Sequence, residues 1–293
     1  MNSRHLSYIT FAAACMAVAG LFSLASAPAG AQQAAVAIDN DDIGGVVSGP
    51  NGPEAGVWVI AETTELPTKF AKIVVTDDQG RFVIPDLPPR VNYTVWVRGY
   101  GLVDSPKLRA KPGQQLKLTA VPAPDEAAAA HYYPAIYWFT LLKIPPAKDF
   151  GGSTDIPKDI TQDIWRQRMN NVDCIGCHQL GQEATRTVPA AFGEFKSGEE
   201  AWMRRVSSGQ TGEWMVNRLA GQLGGVPFKY FGDWTDRIAR GELPKTRPPR
   251  PTGLERNVVI SSWEWATPKH FVHDLISSDR RNPTVNALSL IHI

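Results

Sequence analysis

At 293 residues, with 30 basic against 29 acidic side chains and a formal charge of +1, the chain carries no field strong enough to hold nucleic acid or an anionic membrane surface. The length suits two small domains with flanking segments. Low-complexity tracts and full internal repeats are absent.

The first 31 residues read as a signal peptide. Arg4 and His5 precede an apolar run from Ile9 to Leu24, and Ala29-Gly30-Ala31 supplies the small-x-small pattern that a signal peptidase cuts. The run falls short of the ~20 apolar residues of a membrane span, so no stable span is expected after removal, and a periplasmic or secreted location follows. Cys15 leaves with this segment. The mature chain then keeps two of its three cysteines, both in residues 170–182.

From 39 to 122 short alternating runs recur: Val57, Val59 and Ala61; Phe82 and Ile84; Tyr93, Val95 and Val97; Leu116, Leu118 and Ala120. Turn formers separate them, at Gly49-Pro50-Asn51-Gly52, Asp77-Asp78-Gln79-Gly80, Pro88-Pro89 and Lys111-Pro112-Gly113. The pattern predicts a small antiparallel all-β sandwich. The string TDDQGRFVIPDLPP followed by YTVWVRGYG resembles the carboxypeptidase regulatory-like domain. That resemblance implies an immunoglobulin-like or transthyretin-like sandwich with no peptidase chemistry. The related carbohydrate-binding-like fold would make Trp58 and Trp96 a saccharide-stacking surface, against which stands the habit of strand tryptophans to fill cores. Asp77 and Asp78 suggest calcium or, beside Gly80, a turn.

Residues 123–155 read as a linker. PAPDEAAAA (122–130) is Pro- and Ala-rich and expected to be exposed. HYYPAIYWFTLLKIPP (131–146) is too aromatic for a free tether, so Tyr133, Tyr137, Trp138 and Phe139 are expected to be buried. His131 is read as a packed or exposed side chain rather than a ligand.

The stretch NNVDCIGCHQLGQ (170–182) carries the chemistry. Cys174 and Cys177, two residues apart and followed by His178, admit a disulfide, a metal site or haem attachment. A labile disulfide of the thioredoxin kind needs a βαβ setting that the flanks lack. A structural zinc site needs four ligands, and no second cysteine or histidine pair completes one. Cys-x-x-Cys-His suits one covalent haem c: both thiols reach two vinyl groups on one porphyrin edge, and the adjacent imidazole becomes the iron ligand.

Around this motif the periodicity turns helical. Ile160, Ile164, Trp165 and Met169 share one side of a helix over 159–171, which would deliver the cysteines at its end. Trp202, Val206, Met215, Leu219 and Leu223 recur at helical intervals, with a break at 209–212, and Tyr230, Trp234 and Ile238 follow before Gly241 and Pro244. Residues 156–246 resemble a class I c-type cytochrome, an all-α monohaem domain, and the resemblance implies electron transfer with redox partner proteins. It also implies a methionine as second axial ligand. Two follow the motif, Met203 and Met215, and Met215 leads because the glycine-bearing break before it lets the chain bend toward the iron. Arg204, Arg205 and Arg218 form either a partner-steering patch or a solvated helix face.

From 247 to 287 the chain is first Pro- and Arg-rich and then β-prone over 257–265. This stretch resembles the opening of the β-propeller in exported proteins related to virginiamycin B lyase, here cut short. The last six residues, LSLIHI (288–293), match the translation of a transposon end used in DNA-library preparation and are expected to be non-native, so His292 is set aside. Three functions remain open: an electron carrier, a fragment of a larger periplasmic lyase-like or dehydrogenase enzyme with haem as electron port, and a saccharide-binding module. No hydrolytic or lyase site is visible in the sequence.

Overall fold

The computed structural model describes residues 36–264 except Ser153, Asp173, 175–178 and 209–211. The expected signal peptide, residues 265–287 and the terminal LSLIHI lie outside the described residues. Two layers of sheet come first, a set of short helices follows, and a final strand returns to the first sheet system. Among the described residues no helix is long and apolar enough to cross a membrane.

The first sheet joins β1 (Ile43–Gly49), β2 (Gly52–Pro53), β5 (Arg81–Ile84) and β9 (Gln114–Thr119). The second joins β3 (Trp58–Thr63), β4 (Lys69–Val75), β6 (Tyr93–Arg98), β8 (Leu108–Ala110) and β11 (Ile260–Glu264), in the order β11-β4-β3-β6-β8. A small ribbon pairs β7 (Leu102–Val103) with β10 (Val121–Pro122). The alternating residues of the sequence meet in one core: Val57, Val59 and Ala61 lie with Phe82, Ile84, Tyr93, Val95, Val97, Leu118 and Ala120. Period-two alternation sends every second side chain to the same face, and that face is the one shared by both sheets.

Two features depart from the expected sandwich. The pairing is not wholly antiparallel, because β9 runs parallel to β1 from Ile43 opposite Gln114 to Ser48 opposite Thr119. The strands from β2 to β8 lie between them in sequence and provide the long crossover that a parallel pair requires. Strand β4 escapes the alternation because both its faces are covered. Phe70 and Val74 enter the core, while Ile73 and Val75 join Trp58, Ile60 and Trp96 on the other face. Those tryptophans are buried, so they pack the sheet and present no open saccharide-stacking platform. Tyr100 meets Trp58 edge-on at 4.8 Å.

The Asp77 turn is explained without calcium. Asp77 Oδ1 accepts from the Gln79 and Arg81 amides at 2.9 and 2.8 Å, and Oδ2 accepts from Arg81 Nε at 2.7 Å. Asp78 pairs with Arg256.

Among the described residues seven α-helices follow: α1 (Glu126–Ala130), α2 (Ala135–Phe139), α3 (Gln162–Gln167), α4 (Glu183–Arg186), α5 (Gly198–Val206), α6 (Gly212–Val216) and α7 (Val226–Ala239). Of the segment expected to be exposed, 122–130, residues 124–127 are exposed, while 126–130 form α1 and bury Ala129 and Ala130. Asp125 caps it, accepting from the Ala128 amide at 2.8 Å. The aromatic stretch does bury Tyr133 and Trp138, whereas Tyr137 and Phe139 are half-buried. The principal helix pair is α5 with α7. Trp202 stacks on Phe231 at 4.7 Å, and Gly232 lies where a Cβ would strike the backbone of Gly198 and Glu199. A glycine inside α7 thus lets two backbones approach closely.

The β-prone run after residue 257 is a strand, and its partner is the sandwich: β11 pairs antiparallel with β4, Ile260 opposite Ile73 and Glu264 opposite Lys69. Arg250 fastens the approach to it, donating from Nε to the Tyr100 carbonyl at 3.0 Å and pairing with Glu54.

Candidate functional site

Thr161 starts α3, its Oγ1 accepting from the Ile164 amide at 3.2 Å. Trp165 is buried between Phe150, at 6.2 Å, and Tyr230 of α7, at 5.9 Å. The expected helix over 159–171 is therefore shorter as an α-helix, and it widens into a π-helical turn from Arg168 to Val172. Such turns insert a residue and change which side chains point inward. Here Met169 points in, 4% exposed, and Cys174 follows five residues later.

Cys174 is half-buried on the helical core, with its Sγ 3.9 Å from Met169 Sδ. Ile164, Met215, Val216, Val226 and Tyr230 are half-buried on the same core. Cys177 and His178 lie outside the described residues. Of the two candidate methionines, Met215 of α6 shares this core, whereas Met203 of α5 is 53% exposed. Of the break expected at 209–212, residues 209–211 lie outside the described residues and Gly212 opens α6; beyond Val216 the chain again takes a π-helical form, Asn217–Gln222.

The chain just after His178 is locked down. Gly181 has φ +105°, and a Cβ there would strike the Ala135 carbonyl and the Phe139 amide of α2. Its N–H donates to Thr185 Oγ1 at 2.9 Å, and its carbonyl accepts from Arg186 Nη1 at 2.8 Å. Arg186 lies over the Trp138 ring, 4.2 Å from its centroid. Trp138 in turn donates from Nε1 to the Ala130 carbonyl at 3.2 Å and accepts at its own carbonyl from Trp234 Nε1 at 3.0 Å. One connected set of contacts therefore links α1, α2, α4 and α7 to the residues following the motif.

Arg186 is 5% exposed. Burial lowers its pKa to about 10, against the weaker opposing pull of Glu183. Burying a cation costs several kcal/mol, and a ring face returns about 0.5–2 kcal/mol. Arg205, lowered by burial as well, spends its donors on carbonyls at the end of α4, including Thr187 at 2.6 Å. Arg204 lies over Phe192, and Arg218 donates to Gln222 at 3.0 Å. The three arginines, read as a partner-steering patch or a solvated helix face, make these local contacts, with Arg204 exposed and Arg205 and Arg218 half-buried. His131 is exposed at the end of α1, edge-on to Tyr132.

Met169, Gly181 and Arg186 were not marked by the sequence pattern as site residues. Met169 had a signal, since it shares the apolar face of α3 five residues before Cys174. No protein-family model matches the chain, and no curated protein matches it significantly.

Proposed function

We propose that this chain is an exported monohaem c-type cytochrome module, with one haem c bound through thioethers from Cys174 and Cys177, iron held by His178, and electrons exchanged with redox partner proteins. The finer fold belongs to the same reading: a class I cytochrome over 156–246 behind an immunoglobulin-like or transthyretin-like sandwich over 39–122. The observation that carries it is the Cys-x-x-Cys-His motif placed directly after the π-helical turn, with Cys174 set against an aromatic and apolar core. The residues fit such a group: two thiols and an imidazole at attachment spacing, with Cys174 set against the helical core.

When bound, the haem supplies a one-electron ferric and ferrous couple. The chain's own residues do the rest. Trp165, Met169 and Tyr230 keep water from the thiol side and lower the local dielectric. Gly181 and Arg186 fix the chain that follows the motif. Met215 would be the second protein ligand to the iron, because it alone of the two candidates lies on the shared core; a thioether would favour the ferrous state and raise the potential.

Expression with periplasmic haem-attachment machinery tests it. The product is expected to be red, with haem staining that survives a denaturing gel and is weakened by Cys174→Ala or Cys177→Ala. A colourless chain, or haem released on denaturation, overturns the proposal.

A further inference from the structure

The exposed apolar surface of the described residues is unevenly placed. Leu254, Val258, Val259 and Trp263 are 84%, 47%, 48% and 46% exposed, and all four fall within residues 254–263, on β11 and just before it. Such clustering on a folded surface marks a contact site. β11 ends its sheet, with β4 on one side and, among the described residues, no strand on the other. Edge strands are ordinarily guarded by lysine, proline or a bulge. Residues 257–263, NVVISSW, contain no proline and no charged side chain, and β11 meets β4 in unbroken register from Ile260 to Glu264.

Trp263 shows what this edge leaves unfinished. It lies opposite Phe70 with ring centroids 4.4 Å apart, and Phe70 is 2% exposed in the sandwich core. The core thus reaches the sheet edge and stops at a half-open indole. Val259 is four residues back, which in an extended chain is the same side. A second copy turned about a two-fold axis through Ser261 sets Val259 of each chain opposite Trp263 of the other, an aromatic and β-branched pair of the kind that stabilises antiparallel strands. Charge selects the same occupant. A two-fold contact lays a surface against itself, so any net charge on it meets like charge, and this stretch carries none. Two such strands with their exposed apolar side chains cover on the order of 1,000 Å², the size a small specific interface needs. We infer that β11 is a homodimerisation strand, which pairs antiparallel with β11 of a second copy and joins two five-stranded sheets into one. The inference stands apart from the haem reading.

Sedimentation equilibrium of the full chain, purified after export and measured from low to high micromolar concentration, is expected to show a monomer–dimer equilibrium. Val259→Lys places an ammonium against the indole of the other copy and should raise the dissociation constant at least about tenfold. The residue precedes the strand and is half open to solvent, so the unfolding midpoint of the variant should match that of wild type. Cysteine pairs read the register directly. Ser261→Cys puts two thiols on the two-fold axis, where facing Cα atoms lie about 5 Å apart, and mild oxidation should link two copies through residue 261. Val258→Cys leaves its thiols about 20 Å apart along the strands, beyond the reach of a disulfide, and should give no such link. A chain that stays monomeric at every concentration overturns the inference, and the edge then belongs to a later segment of the same chain or to a different protein. A dimer unmoved by Val259→Lys, or linked through 258 as readily as through 261, overturns it as well. None of these results bears on whether haem is attached.

Discussion

Gly181→Ala separates backbone strain from packing at the point where the chain leaves the candidate site. The residue sits at φ +105°, where an L side chain is strained by about 1–2 kcal/mol. A methyl group there also meets the Ala135 carbonyl and the Phe139 amide, both backbone atoms of α2 that no rotamer change can move. Forcing α2 aside adds an overpacking cost of about 1–3 kcal/mol, so a total loss of about 3 kcal/mol is expected. Gly193 provides the control, with φ +91° and no atom within 4 Å of a Cβ placed on it. Gly193→Ala should cost only the backbone share, about 1 kcal/mol. Denaturant unfolding followed by tryptophan fluorescence measures both, since Trp138, Trp165, Trp202 and Trp234 are buried in the helical core. Equal losses in the two variants would refute the claim that α2 is seated against the 181 turn.

Two further expectations follow from the same contacts. Met215→Ala in the haem-loaded chain should abolish a near-infrared sulfur-to-iron band and lower the potential while Met203→Ala changes neither, as their positions on and off the shared core require; loss of the band in Met203→Ala alone would transfer the assignment, and its survival in both would remove methionine ligation. Arg250→Ala should weaken the attachment of β11 by about 1–2 kcal/mol through loss of a partly buried charge pair and a carbonyl contact, read as a roughly tenfold rise in amide exchange over Ile260–Glu264; unchanged exchange would show that strand pairing alone holds the segment.

The parts of this fold legible in the sequence are those written in local spacing. Val57, Val59 and Ala61, or Tyr93, Val95 and Val97, alternate because one face of each strand is buried, and they lie in the core they predicted. The Cys174 motif is legible because its chemistry depends on residues adjacent in the chain. Strand β4 was silent because Ile73 and Val75 face a second cluster across the sheet, which removes the polar half of the pattern. The α1 helix was read as a tether although Asp125 before EAAAA is a capped run of strong helix formers. Arg186 and Gly181 became visible only once α2 and α4 were brought together, a contact that bridges some forty residues and leaves no periodic trace.

The return of β11 to β4 alters what counts as a part of this molecule. A sheet that takes strands from residues 58–110 and again from 260–264 is discontinuous in sequence, and everything from 123 to 259 is an insertion whose two ends are pinned to the same β body. A chain ended before the helical region would lose an edge strand of its host sheet. During synthesis, the five-stranded sheet stays one strand short until the whole insertion has emerged, and closing so long a loop carries an entropic cost that the finished sheet must offset. Assembly of the sandwich thus reports that the intervening helices, and the thiols among them, have already been made.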